Sequence, residues 1–361
     1  MIGFLLSGIV VTLIGAYFLF QYLKKDFLTV DWGPARQHHA VSQNNHFKEL
    51  WEQRIFADCM TCVIAANDRV YFVGTLQNPG LMSLTQLDLL TGEVQWQKTL
   101  FSDSAALLTA NSQYVLVSIP GGKVASPFQS WDTAQIMAYD SITGDQVWSE
   151  QIPGTRGIST AYIVDESVYA LGGYDKAFQL AIDTGQILNE TRLGLLASHD
   201  EQTDYFLEFE GLRAVNTKTG ESLWFHKGSV YPPPQFLEEI IIAGGSTLNR
   251  LGNVTALSRR SGDVLWKYEN VISNVAVNDS AVFFLRMGEN AVWDGESVSD
   301  VQLLVVNMQA GTIIASITFD PPNLTFGSRR FRYNVAVHDD IVSVYLADGR
   351  QLVALRFSPD K

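Results

Sequence analysis

The nine residues Asp140-Ser141-Ile142-Thr143-Gly144-Asp145-Gln146-Val147-Trp148 decide the fold, because the same pattern returns along the chain. Asp140 can accept hydrogen bonds from backbone N–H groups of a turn, and Gly144 can take the left-handed conformation that the turn requires. Alternating apolar residues flank each copy, so the turn joins two antiparallel strands. Trp148 is large and flat, and a side chain of that shape fills the wedge between two diverging sheets.

Six copies of this motif share one phase. Four copies keep the tryptophan four residues after the glycine, and their key residues are Asp88, Gly92 and Trp96; Asp140, Gly144 and Trp148; Gly220 and Trp224; and Gly262 and Trp266. Two weaker copies contain Gly185 and Gly311, with Asn189 and Ala315 in the tryptophan position. The six glycines are 52, 41, 35, 42 and 49 residues apart. This spacing predicts repeated units of the size of a propeller blade.

Two further strand candidates precede each motif. Residues 63–65 and 70–73 are an example, and 161–164 with 167–170 repeat the arrangement. Four antiparallel strands in each unit predict an all-β protein built as a β-propeller.

The two ends of the chain complete one another. Three strand candidates at 335–337, 341–346 and 351–355 form a last unit that has no tryptophan-bearing fourth strand. The segment 47–51, which ends at Trp51, has the character of that missing strand. Pairing the two ends leaves no open sheet edge. We therefore predict a seven-bladed propeller over 47–361, closed by its N-terminal strand.

The segment that precedes the repeats has a different character. Residues 1–23 carry no charged side chain, and Lys24 and Lys25 follow them. About 20 apolar residues cross a bilayer, whereas the apolar core of a cleavable signal peptide has only ~7–15. We predict a transmembrane anchor helix at 1–25 and a flexible tether at 26–46. The two lysines favour a cytoplasmic propeller under the positive-inside rule.

Composition narrows the classes of partner. Hydrophobic residues make up 47% of the 361 residues, so the chain can bury a large core, and the net charge is −13. Nucleic-acid binding needs a basic surface. The sequence therefore predicts no nucleic-acid partner.

The motif Ala138-x-Asp140-x-x-Thr143-Gly144-x-x-x-Trp148 resembles the tryptophan-docking motif of pyrroloquinoline-quinone-repeat propellers. That family includes quinoprotein alcohol and glucose dehydrogenases and the lipoprotein propeller of the outer-membrane β-barrel assembly machine. The resemblance implies an extracytoplasmic propeller, which we favour over the cytoplasmic placement. Quinone-binding members often have adjacent cysteines, and this chain has neither a Cys-Cys pair nor a C-x-x-C-H haem motif. We expect no cofactor.

Few residues are candidates for chemistry. Cys59 and Cys62 form the only C-x-x-C pair, and a local disulfide is the favoured interpretation, with buried thiols or a catalytic dithiol as alternatives. The histidines follow no ligand spacing, so we expect no metal site; they are His38, His39, His46, His199, His226 and His338. Acid pairs such as Glu238-Glu239 and Asp339-Asp340 are typical of turns. We expect no catalytic site.

These observations favour a membrane-anchored, non-enzymatic scaffold that binds a protein or an envelope polymer. Propellers expose loops on a rigid frame, and binding residues commonly lie on such loops. Two alternatives follow from the resemblance: a quinone-dependent dehydrogenase, and a factor in envelope or outer-membrane assembly.

Overall fold

The computed structural model describes residues 46–359, apart from 56–62, 75–81, 101, 103–104, 121–132, 156, 173–175, 192–193, 209, 229–233, 248–249, 289–300, 320–332 and 347–350. The described part of the chain is built from strands and turns and contains no helix. Accordingly, it has no helix that is long and apolar enough to cross a bilayer. The anchor predicted at 1–25, and the tether apart from its last residue, lie outside the described residues.

The strands follow one another in three complete four-stranded sheets after a single first strand. The first strand is β1 (Phe47–Arg54). Unit 1 consists of β2 (Val63–Ala66), β3 (Arg69–Gly74), β4 (Ser83–Asp88) and β5 (Val94–Thr99). Unit 2 consists of β6 (Ala106–Ala110), β7 (Tyr114–Ile119), β8 (Thr133–Asp140) and β9 (Gln146–Pro153). Unit 3 consists of β10 (Ile158–Val164), β11 (Ser167–Gly172), β12 (Ala177–Ala181) and β13 (Ile187–Thr191).

The second half of the chain continues the pattern with one variation. Unit 4 consists of β14 (Leu195–His199), β15 (Thr203–Glu208), β16 (Gly211–Asn216) and β17 (Ser222–Lys227). A seven-stranded sheet follows, with β18 (Gln235–Phe236), β19 (Ile240–Thr247), β20 (Arg250–Ser258), β21 (Val264–Val277), β22 (Ala281–Met287), β23 (Val301–Asn307) and β24 (Ile313–Phe319). The last strands are β25 (Asn334–His338), β26 (Ile341–Leu346) and β27 (Gln351–Phe357). All of these pairings are antiparallel.

The seven-stranded sheet contains two units that share β21. Val271 pairs with Gly252 of β20 on one side and with Arg286 of β22 on the other. Asn270, just before it, has a φ of 60°, a left-handed conformation that turns the strand. We call β18 to β20 with the first part of β21 unit 5, and the rest of β21 with β22 to β24 unit 6. The sequence predicts two separate strands here, and the structure joins them in one.

The last unit takes its fourth strand from the start of the chain, as predicted. β1 pairs with β27 in the order β1-β27-β26-β25, with Trp51 opposite Ala354. We call this sheet the closing unit. His46, the last residue of the predicted tether, extends the pairing: Ser358 N–H donates to His46 O over 2.9 Å, and His46 Nδ1 lies 3.0 Å from Ser358 O.

The core lies between neighbouring units. Phe178 and Leu180 of unit 3 belong to one buried cluster with Trp148 of unit 2. The closing unit packs on both sides, because Tyr345 shares a cluster with Val70 of unit 1, and another cluster joins residues of the closing unit to unit 6. The units therefore close on themselves as a ring, in which neighbouring units pack against each other.

Candidate functional site

A central cavity of about 590 Å³ lies on the axis of this ring. Its wall is formed by the first strand of each unit, namely β2, β6, β10, β14, β18, the second part of β21, and β25. The wall is mixed: Val63 and Ala197 are apolar, whereas Thr109 and His199 are polar. Asn274 joins two wall strands, since its side chain donates to Val335 O and accepts from Val335 N–H, each over 2.8 Å.

One face of the ring carries one tight turn from every unit and a second from each of units 1 to 6. The inner turn joins the first and second strands, and in units 1 to 6 an outer turn joins the third and fourth. A backbone hydrogen bond links the start of each outer turn to the inner turn, for example from Ile182 N–H to Glu166 O over 3.2 Å and from Arg259 N–H to Glu239 O over 2.8 Å. The closing unit has the equivalent bond from Phe357 N–H to Asp340 O, over 2.7 Å. We call this surface the turn face.

The inner turns of the turn face are strongly acidic. They contain ten carboxylates and no lysine or arginine; the acids are Asp68, Asp165, Glu166, Asp200, Glu201, Glu238, Glu239, Asp279, Asp339 and Asp340. All ten are exposed and surround one end of the central cavity. The outer turns add five acids, Glu93, Asp145, Asp183, Glu221 and Asp263, against Lys218, Arg259 and Arg260. Much of the negative charge of the protein is therefore displayed on this one surface.

Basic groups on the turn face offset part of this charge. Arg259 Nη2 lies 3.2 Å from Asp200 Oδ2, and its guanidinium lies over the Tyr205 ring, 4.9 Å from the centroid. Burial alone would raise the pKa of Asp200. The backbone N–H groups of Gln202 and Thr203, helped by Arg259, instead hold that pKa below its ordinary value.

His338 joins the closing unit to unit 1. Its Nε2 lies 3.5 Å from Asp68 Oδ1 and 4.0 Å from Asp339 Oδ2. Among the described residues, these three form the one group of His, Cys, Asp and Glu donors close enough to share an ion, with ligand atoms within 4.8 Å. Asp68 and Asp339 have more than four-fifths of their side chains exposed, so water already solvates both carboxylates. Sequence spacing could not reveal this group, because Asp68 lies about 270 residues before the adjacent pair His338 and Asp339.

The outer turns have the geometry that the motif predicts. Asp140 Oδ1 accepts from Ile142 N–H and Thr143 N–H over 2.9 and 2.7 Å, and these bonds lower the pKa of Asp140 below its ordinary value. Asp88 forms the equivalent bonds to Leu90 and Thr91. All six motif glycines have a φ between 68° and 73°, so the left-handed turn is present in the weaker copies as well.

Each motif tryptophan reaches forward onto the glycine of the next unit. Trp51 Nε1 donates to Leu89 O over 2.8 Å, and a Cβ on Gly92 would lie 2.7 Å from the Trp51 ring. The other docked pairs are Trp96 on Gly144, Trp148 on Gly185, Trp224 on Gly262 and Trp266 on Gly311. Trp148, Trp224 and Trp266 donate to the carbonyls of Ile182, Arg259 and Met308 over 2.6, 3.2 and 2.9 Å.

One junction differs from these five. Unit 3 has Asn189 in the tryptophan position, and the next glycine along the ring is Gly220 of unit 4. A Cβ on Gly220 would meet no described atom within 4 Å, and Gly220 is the one motif glycine that is exposed. The weak copy noted in the sequence therefore leaves an unfilled glycine turn. Ala315 has no equivalent test, because no described outer turn joins β27 and β1, the third and fourth strands of the closing unit.

Of the remaining candidate residues, four lie outside the described residues and two lie apart from one another. Cys59 and Cys62 lie outside the described residues, as do His38 and His39, so the disulfide stays a prediction. His199 and His226 lie apart: His199 Nε2 is 3.0 Å from Asp165 Oδ2, and burial lowers the pKa of His226. The structure does not bring these two histidines together with His338.

Comparison with known protein families identifies the family to which the repeats belong. A family model described as outer membrane protein assembly factor BamB matches residues 39–201 and 134–318. The chain belongs to this family. The predicted resemblance to pyrroloquinoline-quinone-repeat propellers is thereby confirmed, and the all-β sheets described above are those of a propeller.

Two solved structures are similar to the chain. BamB from Moraxella catarrhalis is 18% identical, covers 86% of this chain and 98% of its own, and has a TM-score of 0.48. The computationally designed Ika8 protein is 14% identical, covers 86% of this chain and 99% of its own, and has a TM-score of 0.49. No curated protein matches the chain.

Proposed function

We propose that this chain is a membrane-anchored, non-enzymatic propeller that binds a protein partner through the turn face. The observation that carries the proposal is the ring of ten exposed carboxylates on the inner turns, with no lysine or arginine among them. The turns are short and are held by backbone hydrogen bonds, so the backbone that carries the charges is held in place. A rigid surface of one sign favours a partner with a surface of the opposite sign.

The chemistry of the partner follows from that charge. A basic protein segment would approach along the field of the turn face, and the end of the central cavity would accept a side chain at its centre. The Debye length is about 8 Å at physiological ionic strength, so the attraction acts at short range and weakens with added salt. Binding of an envelope polymer with basic groups would obey the same rules.

Seven blades and an N-terminal anchor belong to the same proposal. Strands of units 1 to 6 and of the closing unit all line one cavity, which supports seven blades. The uncharged segment 1–23 supports an anchor, and the family supports a propeller on the extracytoplasmic side. A reporter enzyme that is active only outside the cytoplasm should be active when it is fused after Lys361. Activity of a cytoplasmic reporter would contradict this orientation.

Partner capture with a charge-neutralised face tests the proposal. The face variant replaces four exposed glutamates of inner turns by glutamine: Glu166, Glu201, Glu238 and Glu239. A matched control makes four Glu→Gln changes outside the turn face, at Glu49, Glu190, Glu210 and Glu269. We expect the unchanged protein and the control to retain the same partner, with retention falling as salt rises, and the face variant to lose it. Equal capture by all three proteins would contradict the proposal.

The family match favours a more specific candidate, a role in assembly of the outer membrane. In that case the partner belongs to the assembly machinery, and deletion of the gene should lower the amount of outer-membrane proteins. The face variant should fail to restore them, and the control variant should succeed. Unchanged outer-membrane protein levels in the deletion strain would reject this candidate and leave the scaffold proposal intact.

A further inference from the structure

The junction between units 3 and 4 contains a mostly apolar cleft of about 410 Å³. Its wall comes from β11 to β13 of unit 3 and from β14 to β16 of unit 4, and it includes Asn189 and Val215. Small-ligand sites commonly measure ~300–1,000 Å³. The cleft lies where a docked indole is found at the five junctions that carry the motif tryptophan.

Alignment of the motifs of units 3 and 4 shows which contacts are missing at the cleft. Trp148 packs in a buried cluster with Phe178 and Leu180 and docks on Gly185. The corresponding residues of unit 4 lie 35 positions later, at Arg213, Val215 and Gly220. Arg213 and Val215 line the cleft, so the surface that would receive an indole is open to solvent.

The receiving surface nevertheless keeps its shape. Gly220 has a φ of 73°, and Gly220 N–H donates to Asn216 O over 2.9 Å, as in the turns that hold an indole. Arg213 is fixed by Glu208 and lies over the Phe225 ring, 4.8 Å from its centroid. A preorganised site loses little entropy when a ligand binds.

We propose that this cleft binds a tryptophan side chain from a partner polypeptide, in place of the indole that unit 3 lacks. The occupied junction between units 1 and 2 defines the rest of the ligand. Lys98, two residues after Trp96, places its Nζ 2.9 Å from Asp145 Oδ1, and Asp145 directly follows Gly144. Glu221 directly follows Gly220 in the same way. The cleft therefore fits a Trp-x-Lys segment, with the lysine on Glu221.

Binding of a defined peptide to the full chain tests this proposal. The probe is N-acetyl-Trp-Gln-Lys-amide with 5-fluorotryptophan, followed by fluorine NMR, and the matched probe has alanine in place of tryptophan and a fluorinated acetyl group. We expect saturable binding of the tryptophan probe with a Kd of about 1 mM or tighter, and none of the alanine probe. Glu221→Gln should weaken binding about two- to fivefold, the effect of losing an exposed ion pair.

Two variants that fill the cleft with a side chain of the protein itself test whether the probe binds at this cleft or elsewhere. Asn189→Trp should place an indole on Gly220, raise Tm by about 2 °C and abolish probe binding, whereas Asn189→Ala should bind the probe like the unchanged protein. Val215→Phe fills the same cleft and should also block the probe. Equal binding to the filled and open variants, or no binding to any of them, would overturn the proposal. The four inner-turn glutamates of the face variant, Glu166, Glu201, Glu238 and Glu239, are unchanged in all of these variants, so failure of this proposal is distinguishable from failure of the proposed function.

Discussion

Two neighbouring junctions of the ring have the same turn and different packing. Between units 2 and 3, Trp148 covers Gly185; between units 3 and 4, Asn189 leaves Gly220 exposed. Both glycines have a φ of 73°, and each N–H bonds the carbonyl four residues earlier. The turn is therefore determined by its own residues, whereas contact between units depends on one side chain supplied by the preceding unit.

Removal of a docked indole should have the largest effect. Trp148 is 7% exposed and donates to Ile182 O over 2.6 Å, so Trp148→Ala removes a buried ring and leaves a carbonyl without its donor. We expect the free energy of unfolding to fall by about 3–5 kcal/mol, measured by urea denaturation.

The matched change at the open junction is Asn189→Ala. Asn189 is exposed, so its loss should alter the free energy of unfolding by less than about 0.5 kcal/mol. Similar losses for the two variants would mean that Trp148 contributes no more than a surface residue, against the account of the junctions.

Substitution of the two glycines should sharpen the comparison. Gly220→Ala places a Cβ in a left-handed backbone at a cost of about 1–2 kcal/mol, and the open junction gives that Cβ room. Gly185→Ala has the same strain and also drives the Cβ into the Trp148 ring, which should add about 1–3 kcal/mol. Thermal unfolding of the two variants measures the difference in stability. An equal loss of stability in both variants would contradict an open cleft at Gly220.

Loss of the turn acid should have a smaller effect than loss of a docked indole or of Gly185. Asp140→Ala removes two exposed backbone hydrogen bonds and should cost about 1 kcal/mol, whereas Asp140→Asn should cost less. Asn216 accepts the same pair of bonds in unit 4, from Lys218 and Thr219. Unfolding by urea at neutral pH checks both values.

The contribution of Asp140 should also depend on pH. The pKa of this carboxyl is lowered in the folded protein from an ordinary value of 3.8, because backbone N–H groups of Thr143 and Ile142 donate to it. Its stabilising effect is complete above the ordinary pKa and is lost as the pH falls through the folded pKa. The advantage of the unchanged protein over Asp140→Ala should therefore shrink in acid. An advantage that grows in acid would contradict the assigned bonds.

The sequence predicts the repeated turn, a tryptophan between neighbouring sheets and the closure by Trp51, because each depends on a short pattern with one physical cause; that the tryptophan reaches forward onto the next glycine is a finding of the structure. It also identifies Asn189 as a missing tryptophan. The consequence at Gly220 could not be predicted, since another side chain could have filled the space. Two further features could not be predicted, because each depends on how distant or flanking segments are arranged in the folded chain. The continuity of β21 depends on the turn at Asn270. The contact of His338 with Asp68 depends on closure of the ring.

Hydrogen exchange at the outer strands tests the central claim most directly, namely that a forward indole holds five junctions together and is missing between units 3 and 4. The account predicts that the amides of β13, which carries Asn189, exchange faster than those of β5, β9 and β17, whose tryptophans are docked. Protection of β13 equal to that of β9 would show that the unit 3 to unit 4 junction is as closed as the others, and would contradict the account.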